Sequence, residues 1–384
     1  MTFSHCFNVR SFILTAALIS GLGLVTHAAA QERGFLIDLN SKTVTEISTT
    51  LGPYIVATDI NNAGQVIGSI GSSSGYPGHA FITGPDGMEM KDLGTLGGTS
   101  SNSQGSGIND ARQAVGKFTT PGGFEHAFIA GPDGIGMRDL GTLAGYNSSF
   151  ATGINNAGEV VGYSLTAGGP DSHAFITGPN GMGMRDLGTL GGPYSGAHGI
   201  NDAGQVAGYS YTAGGTYHAF ITSDDGMGMR DLGSLGTWSQ AYGINNAGEV
   251  VGWSRTAGGA DHAFITGDDG MSMRDLGTLG GTTDYDASFA DDINDAGQVV
   301  GWSYTAEGAQ HAFITGPHGA GMMDLNSMVD VPGGLVLVEA RGINDAGQVI
   351  AIAIVPEPET YALMLAGLGL VGFMARRKEG RKLL

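Results

Sequence analysis

Gly153-Ile154-Asn155-Asn156-Ala157-Gly158-Glu159-Val160-Val161-Gly162-Tyr163-Ser164 decides the fold. His173-Ala174-Phe175-Ile176-Thr177-Gly178 follows it, and then Met184-Arg185-Asp186-Leu187-Gly188-Thr189-Leu190. The same three phrases return along the chain, so the architecture is a repeat array. The Ile-Asn-x-Ala-Gly phrase begins at Ile60, Ile108, Ile154, Ile200, Ile244, Ile293 and Ile343, 44 to 50 residues apart, with Arg112 in place of the glycine in the second copy. The His-Ala-Phe phrase begins at His79, His126, His173, His218, His262 and His311. The Asp-Leu phrase begins at Asp92, Asp139, Asp186, Asp231, Asp275 and Asp324.

Seven copies of the first phrase stand against six of the others. The missing half-unit is at the opposite end of the chain. Phe35-Leu36-Ile37 aligns with Phe81-Ile82-Thr83, and Glu46-Ile47 aligns with Asp92-Leu93. A chain that begins with the second half of a unit and ends with the first half (343–354) can close a ring by pairing its ends, whereas an open solenoid would need distinct caps.

Each unit reads as four short strands. The first ends at Ile154, and Asn-Asn-Ala-Gly forms a turn. The second spans residues 159–164, with adjacent valines suited to burial on both faces. The third spans 173–177, Pro179-Asn180-Gly181 turns the chain, and the fourth spans 184–190. Four antiparallel strands in a unit of this length make one propeller blade. The predicted fold is therefore all-β: a seven-bladed β-propeller of four-stranded blades, closed by pairing of the N- and C-terminal half-blades. If the Arg112 position is left-handed, a non-glycine residue there costs about 1–2 kcal/mol.

The 69 glycines among 384 residues recur at turns, so they punctuate the repeat and do not signal disorder. Thirty-six acidic and 17 basic residues leave a net charge of −19. That balance argues against nucleic acid, whose phosphates demand a basic face. It suits a soluble exported protein or a cation-binding surface. The single cysteine, Cys6, lies in a segment expected to be removed, which leaves no thiol chemistry.

The ends carry the cellular address. Residues 1–30 combine Arg10, an apolar run over 12–25 and a small-residue exit at Ala28-Ala29-Ala30, the pattern of a secretory signal peptide. The propeller is expected over residues 31–354. The tail, 355–384, opens on Val355-Pro356-Glu357-Pro358, an extended break. Fifteen apolar or small residues follow over 361–375, and then Arg376-Arg377-Lys378. As a helix the apolar run would reach about 22 Å, short of the roughly 30 Å hydrocarbon core. With the basic cluster held in the cytoplasm, this predicts a weak, transient inner-membrane contact.

These three elements, in this order, resemble the PEP-CTERM sorting signal of Gram-negative bacteria. The resemblance implies processing near Pro356-Glu357-Pro358 by an exosortase-type enzyme, with release or attachment outside the cell. The repeat body, residues 34–354, resembles the HAF-repeat extracellular proteins, named for the His-Ala-Phe phrase. That second resemblance implies no chemistry at any position.

The six His-Ala-Phe histidines could form a ring. Metal ligands must converge to about 2 Å of one ion, and equivalent positions on separate blades lie too far apart, so a structural histidine bonded to the recurrent aspartate is expected. The methionines of the fourth strand are expected to fill space between blades. Turns such as Asn201-Asp202-Ala203-Gly204 lack the acidic ladder of a calcium loop, which leaves at most weak surface calcium. The carboxylate pairs Asp268-Asp269 and Asp291-Asp292 are assigned to loops, and no triad, P-loop or CxxC is present. No catalytic residue, metal ligand or cofactor is therefore predicted.

One feature breaks the symmetry. Tyr163, Tyr209, Trp253 and Trp302 occupy one equivalent position in four consecutive blades, where the other units carry Ser69, Lys117 and Ile352. Tyr211 and Tyr304 lie two residues on, on the same face. Such an arc can stack on sugar rings. The leading expectation is an exported, non-catalytic surface or matrix protein that binds extracellular polysaccharide through this arc. The alternatives are an extracellular propeller glycoside hydrolase or lyase and a purely structural coat component.

Overall fold

The computed structural model describes residues 32–48, 54–71, 78–96, 102–166, 171–268, 270–282 and 285–354. The expected signal peptide over residues 1–30, the expected sorting tail with Val355–Pro358 and Arg376–Lys378, and Asp269 lie outside them. The described residues form seven four-stranded antiparallel sheets, the seven-bladed propeller expected from the repeat. Six blades are continuous in sequence: blade one 54–94, two 103–141, three 148–188, four 191–231, five 236–277 and six 288–324.

The seventh blade is shared between the chain ends. Its strand order is Thr43–Glu46, Glu32–Asp38, Gln348–Ile354, Val336–Ile343. Phe35 pairs with Glu46 as Phe81 pairs with Asp92 and Phe175 with Asp186. Glu32–Asp38 pairs along its whole length with Gln348–Ile354. The first strand of each blade touches the first strands of both neighbouring blades, and the last blade meets the first. The ring is closed, and these seven strands line its axis.

The core lies between blades. Phe35, Phe81, Phe128, Phe175, Phe220, Phe264 and Phe313, one per blade, are fully buried. Phe175 packs with Ala151, Ile154 and Val160 of its own blade and with Val115 and Ile129 of blade two. Met184 lies against that cluster, and Leu187 of the same strand packs on the next one, with Ala197 and Val206 of blade four. The alternation of a strand thus feeds both neighbours, and the methionine fills space between blades as expected. Gly162 is needed for close approach: a Cβ there would lie 1.9 Å from the Phe150 carbonyl oxygen.

Polar side chains tie strands together within each blade and lock each blade to the next. Each His-Ala-Phe histidine bonds through Nδ1 to the aspartate of its own fourth strand, at 2.7 Å for His173–Asp186 and 2.8 Å for His79–Asp92. Asp186 Oδ1 also accepts the Gly188 N–H. Asn326, which replaces that glycine in blade six, keeps the bond to Asp324. Arg185 reaches across to the Asp225 carbonyl of blade four, as Lys91 reaches Asp133 and Arg138 reaches Asn180. Arg112 has φ +62° where Gly158 has +76°. The left-handed turn is therefore kept without glycine, and an exposed ion pair to Asp133 accompanies it.

The Ile-Asn phrase does more than turn the chain. Asn155 Oδ1 accepts the Glu159 N–H, and its Nδ2 donates to Glu159 and to the Asn201 carbonyl of the next blade. The same interblade bond runs from Asn61 to Asn109, Asn109 to Asn155, Asn201 to Asn245, Asn245 to Asn294 and Asn294 to Asn344. Asn344 donates to the Asn61 carbonyl and completes a ring of seven.

Candidate ligand-binding mouth

All seven first strands run toward their Ile-Asn turns, so these turns surround one mouth of the axial channel. There Asn62, Asp110, Asn156, Asp202, Asn246, Asp295 and Asp345 form a second ring. Each backbone N–H donates to the next residue's Oδ1, and Asp345 returns to Asn62. This mouth is nearly seven-fold symmetric, and its polar groups are occupied with one another.

The other mouth lies where first strands begin and second strands end, and it is not symmetric. Register places Phe150 opposite Tyr163, Gly196 opposite Tyr209, Gln240 opposite Trp253 and Phe289 opposite Trp302. The structure therefore brings the four predicted arc residues to adjacent blades on one mouth. All four are half-buried. Tyr163 stacks on Phe150 at 4.9 Å, and Trp302 stacks on Phe289 at 4.6 Å. Trp253 meets Phe289 at 5.4 Å and Tyr217 at 6.2 Å. Tyr217 meets Tyr209 and stacks on Trp238. Tyr304 continues the line to Tyr285. The aromatic rings thus form a chain of contacts across blades four to six.

Gly196, the smallest partner in this register, lets the Tyr209 ring lie against the backbone, where a Cβ would fall 2.7 Å from the ring. A cavity of about 500 Å³ opens beside that ring, lined by Tyr163, Tyr194, Tyr209, Tyr211, Tyr217, His198, Gln240 and Ser172. Burial raises the phenol pKa of Tyr163, Tyr209 and Tyr217, so these rings stay neutral donors and acceptors. The cations of this mouth are matched. Lys117 pairs with Glu125 over the Phe150 ring, and Arg255 pairs with Asp261 over Trp238.

His198 is shared with a second, axial cavity of about 180 Å³, which forms the neck of the channel. A β-bulge in each first strand, such as that between Ala290 and Asp292, turns two successive side chains toward the axis. One of these columns reads Thr58, Ser106, Thr152, His198, Tyr242, Asp291 and Arg341 around the ring. Asp291 and Asp292 therefore lie in the strand Ser288–Ile293. The loop assignment made from sequence is wrong for this pair. The bulge gives both carboxyls a place on the channel, where two acids in a buried strand would otherwise be expelled. Asp268, by contrast, is an exposed residue outside the strands.

The neck environment shifts these groups. Burial pushes Asp292 up to about 8, helped by the charge of Asp59, although it accepts the Ile343 N–H. Burial pushes Asp59 up to about 6, against hydrogen bonds from the Ile108 and Ile60 N–H groups. Asp291 is raised by burial and then by the Glu339 charge, with Arg341 opposing. Its Oδ2 is buried without a hydrogen-bond partner. Arg341 is held by Glu339 through two bonds, of 2.9 and 3.2 Å. Burial pushes His198 down to about 4, so it is neutral, 3.0 Å from Gln240. The neck escapes a reading of the sequence that follows the recurring phrases. Its signal was the column two places before each invariant Ile-Asn phrase, which varies in charge and size.

Comparisons with known proteins bear on the tail and the fold. Residues 355–378 match the PEP-CTERM protein-sorting motif. This marks the chain for export and surface sorting as in Gram-negative bacteria, with exosortase processing implied. No curated protein matches the chain. Solved structures match at the level of fold. A prolyl endopeptidase is 10% identical with TM-score 0.54, over 78% of this chain and 48% of its own. A puromycin-hydrolyzing peptidase from Mycobacterium tuberculosis is 11% identical with TM-score 0.52, over 76% and 48%. The putative TolB from Agrobacterium tumefaciens is 12% identical with TM-score 0.48, over 86% and 100%. The chain spans about half the length of the two peptidases, and at these identities the likeness concerns the propeller alone.

Proposed function

We propose that this chain is an exported, non-catalytic surface or matrix protein that binds extracellular polysaccharide through its aromatic mouth. The observation that carries the reading is the chain of aromatic contacts around a cavity of about 500 Å³. That volume falls within the roughly 300–1,000 Å³ of small-molecule sites. Neutral phenols, an amide and a neutral imidazole supply hydrogen bonds to hydroxyls, while the ring faces accept the apolar face of a sugar. In this reading the tail holds the chain transiently at the inner membrane through residues 361–375, until an exosortase acts near Val355-Pro356-Glu357-Pro358.

The test is a pull-down and calorimetric titration of the purified protein with the host's own exopolysaccharide. The arc residues pack between blades, so Tyr217→Ala and Trp238→Ala are tried beside the Tyr163, Tyr209, Trp253 and Trp302 alanine variants. Saturable binding, weakened in folded variants, supports the reading. Unchanged binding in a folded quadruple variant refutes the arc as the contact, and absence of binding refutes the lectin reading.

A second reading, an extracellular glycoside hydrolase or lyase, is favoured by Asp291. A buried carboxyl with a raised pKa and an unpartnered oxygen, in the axial neck that shares His198 with the aromatic cavity, has the character of a general acid. Depolymerisation of the polysaccharide by purified protein, abolished in Asp291→Asn, would replace the non-catalytic reading.

A further inference from the structure

On the face of the turn mouth, three departures from the repeat meet at the junction of blades five and six. Glu249 stands where most blades carry glutamine (Gln65, Gln113, Gln205, Gln298, Gln348). Asp268 replaces the turn proline found at Pro85, Pro132, Pro179 and Pro317. His318 replaces the aspartate or asparagine found at Asp86, Asp133, Asn180 and Asp225. Glu159 and Asp224 each repeat one of these changes elsewhere, but the three coincide at this junction alone.

Their ligand atoms converge. One atom each from Glu249, Asp268 and His318 lie within 4.8 Å of one another. His318 Nδ1 is 2.8 Å from Glu249 Oε1. The equivalent seat between blades two and three holds an amide pair, with Gln113 Nε2 donating to Asn180 Oδ1 at 3.1 Å. The blade five–six junction thus replaces an inert amide contact by an imidazole and two carboxylates.

The donors are held in place. Glu249 is buried, and its Oε2 accepts from Asn245 Nδ2 at 2.7 Å, the same asparagine that joins the interblade ring. His318 lies in a left-handed turn, pinned by the Gly319 N–H to the Gly297 carbonyl and by Arg274 to the His318 carbonyl. Its side chain is 70% exposed, against 3% for Glu249. The cluster therefore has a rigid base and an open side.

We propose that Glu249, Asp268 and His318 form a solvent-open site for one divalent transition-metal ion of the zinc type. One imidazole and two carboxylates suit such an ion, with bonds of about 2.0–2.2 Å and water in the remaining position. Calcium, which takes about six to eight oxygen ligands, is poorly served by this set. The exposed Asp268 and His318 side chains close the last fraction of the distance. On binding, His318 gives up the Nδ1 proton that faces Glu249: an imidazolium releases it to solvent, and a neutral ring regains a proton from solvent at Nε2, so that the Nδ1 lone pair takes the ion and the ring stays a neutral imidazole. Asn245 then acts as the outer-shell partner that orients the buried carboxylate.

The repeat supplies its own control. Glu249→Gln with His318→Asn rebuilds the Gln113–Asn180 pair and should fold as the parent does. Chelator-treated full chain is titrated with Zn²⁺ and with Ca²⁺ by calorimetry. The expected result is a zinc-binding step that the double variant loses or weakens by roughly tenfold or more, the scale set by losing even an outer-shell partner. Ca²⁺ should not displace Zn²⁺, and Zn²⁺ should raise the thermal midpoint of the parent but not of the variant. Asp268→Asn, on the exposed side, gives the same readout should the double variant fold poorly. Identical zinc isotherms for parent and variants, or equal competition by Ca²⁺, would overturn the site.

Discussion

Replacing Asn344 by alanine tests how the ring is closed. Asn344 makes three interactions, two within its own turn and one to the other end of the chain. Its Oδ1 accepts the Gln348 N–H at 2.8 Å. Its Nδ2 donates to Gln348 Oε1 at 2.7 Å and to the Asn61 carbonyl at 3.0 Å. The residue is 4% exposed, so alanine leaves the Gln348 N–H without its partner, while the Asn61 carbonyl keeps the Gly64 N–H and loses only its bond across the blades. One such buried orphan costs about 1–3 kcal/mol, and the lost interblade bond adds to it, so the expected loss is about 1.5–4 kcal/mol. For a domain of roughly 320 residues the unfolding entropy makes 3 kcal/mol worth on the order of 4 °C in the midpoint. Thermal and urea unfolding of Asn344→Ala and Asn201→Ala should show comparable losses, because Asn201 makes the same three bonds within the continuous part of the chain. A loss below about 0.5 kcal/mol in both variants would refute the view that this asparagine holds the blades together. A loss in Asn201→Ala alone would show that the chain ends do not carry the closing contact.

Two further outcomes follow from the same geometry. Asp292 keeps its proton in the folded state up to about pH 8, while the unfolded carboxyl ionises near 3.9, so its contribution to stability declines as pH rises through that window. His198, pushed down to about 4, acts with the opposite sign between its folded value and about 6.5, and Asp59 acts up to about 6. Asp291, raised by burial, and His318, raised by its bond to Glu249, act with the same sign, so the Asp292 part is read as the difference between parent and variant: from pH 6.5 to 8 Asp292→Asn should flatten the fall in thermal midpoint, and an unchanged slope would remove Asp292 as a source. Arg112→Gly should relieve the left-handed strain while losing an exposed ion pair worth little. A gain of about 0.5–1 kcal/mol in urea unfolding is expected, and a loss would mean that the Arg112–Asp133 pair outweighs the backbone.

The fold was legible because the repeat reports its own boundaries. The Phe35 and Glu46 alignment, read without any structure, corresponds to a strand pair in the closing blade. The histidine–aspartate bond was legible for a similar reason, since two polar residues recurring together across adjacent strands have few other partners. The role of the phrase asparagine was not read. Its sequence context marks it only as a turn former, although Asn155 also spans to the next blade. The hint was its invariance in all seven copies beside a following residue that varies between asparagine and aspartate. The neck escaped for a physical reason. Asp291-Asp292 breaks the apolar alternation of a strand, and only a bulge that turns both residues to the channel reconciles two acids with that position. The zinc-type cluster escaped because its three residues come from two blades and acquire meaning only when compared with the same seats elsewhere in the ring.

The polar ring at the turn mouth carries one more consequence of the blade number. Asparagine and aspartate alternate around it from Asn62 to Asp295, and each asparagine amide can donate to an aspartate beside it, as Asn156 does to Asp202 and Asn246 to Asp295. Seven is odd, so the alternation fails once, and Asp295 and Asp345 are left as neighbours. Their contact is the Asp295 N–H to Asp345 Oδ1, with no side-chain amide between the two carboxylates. Asp345→Asn keeps that acceptor and adds a donor facing Asp295. It gives up the bond from Asn62 Nδ2, which retains Asp110 as a partner. The variant should gain a few tenths to about 1 kcal/mol at low salt, the range of exposed charge pairs. The gain should shrink as the screening length falls to about 10 Å at 0.1 M salt. Thermal midpoints measured across a salt series decide it: a gain that persists at high salt would trace to the new hydrogen bond, and a loss would show that the acidic pair is not a mismatch.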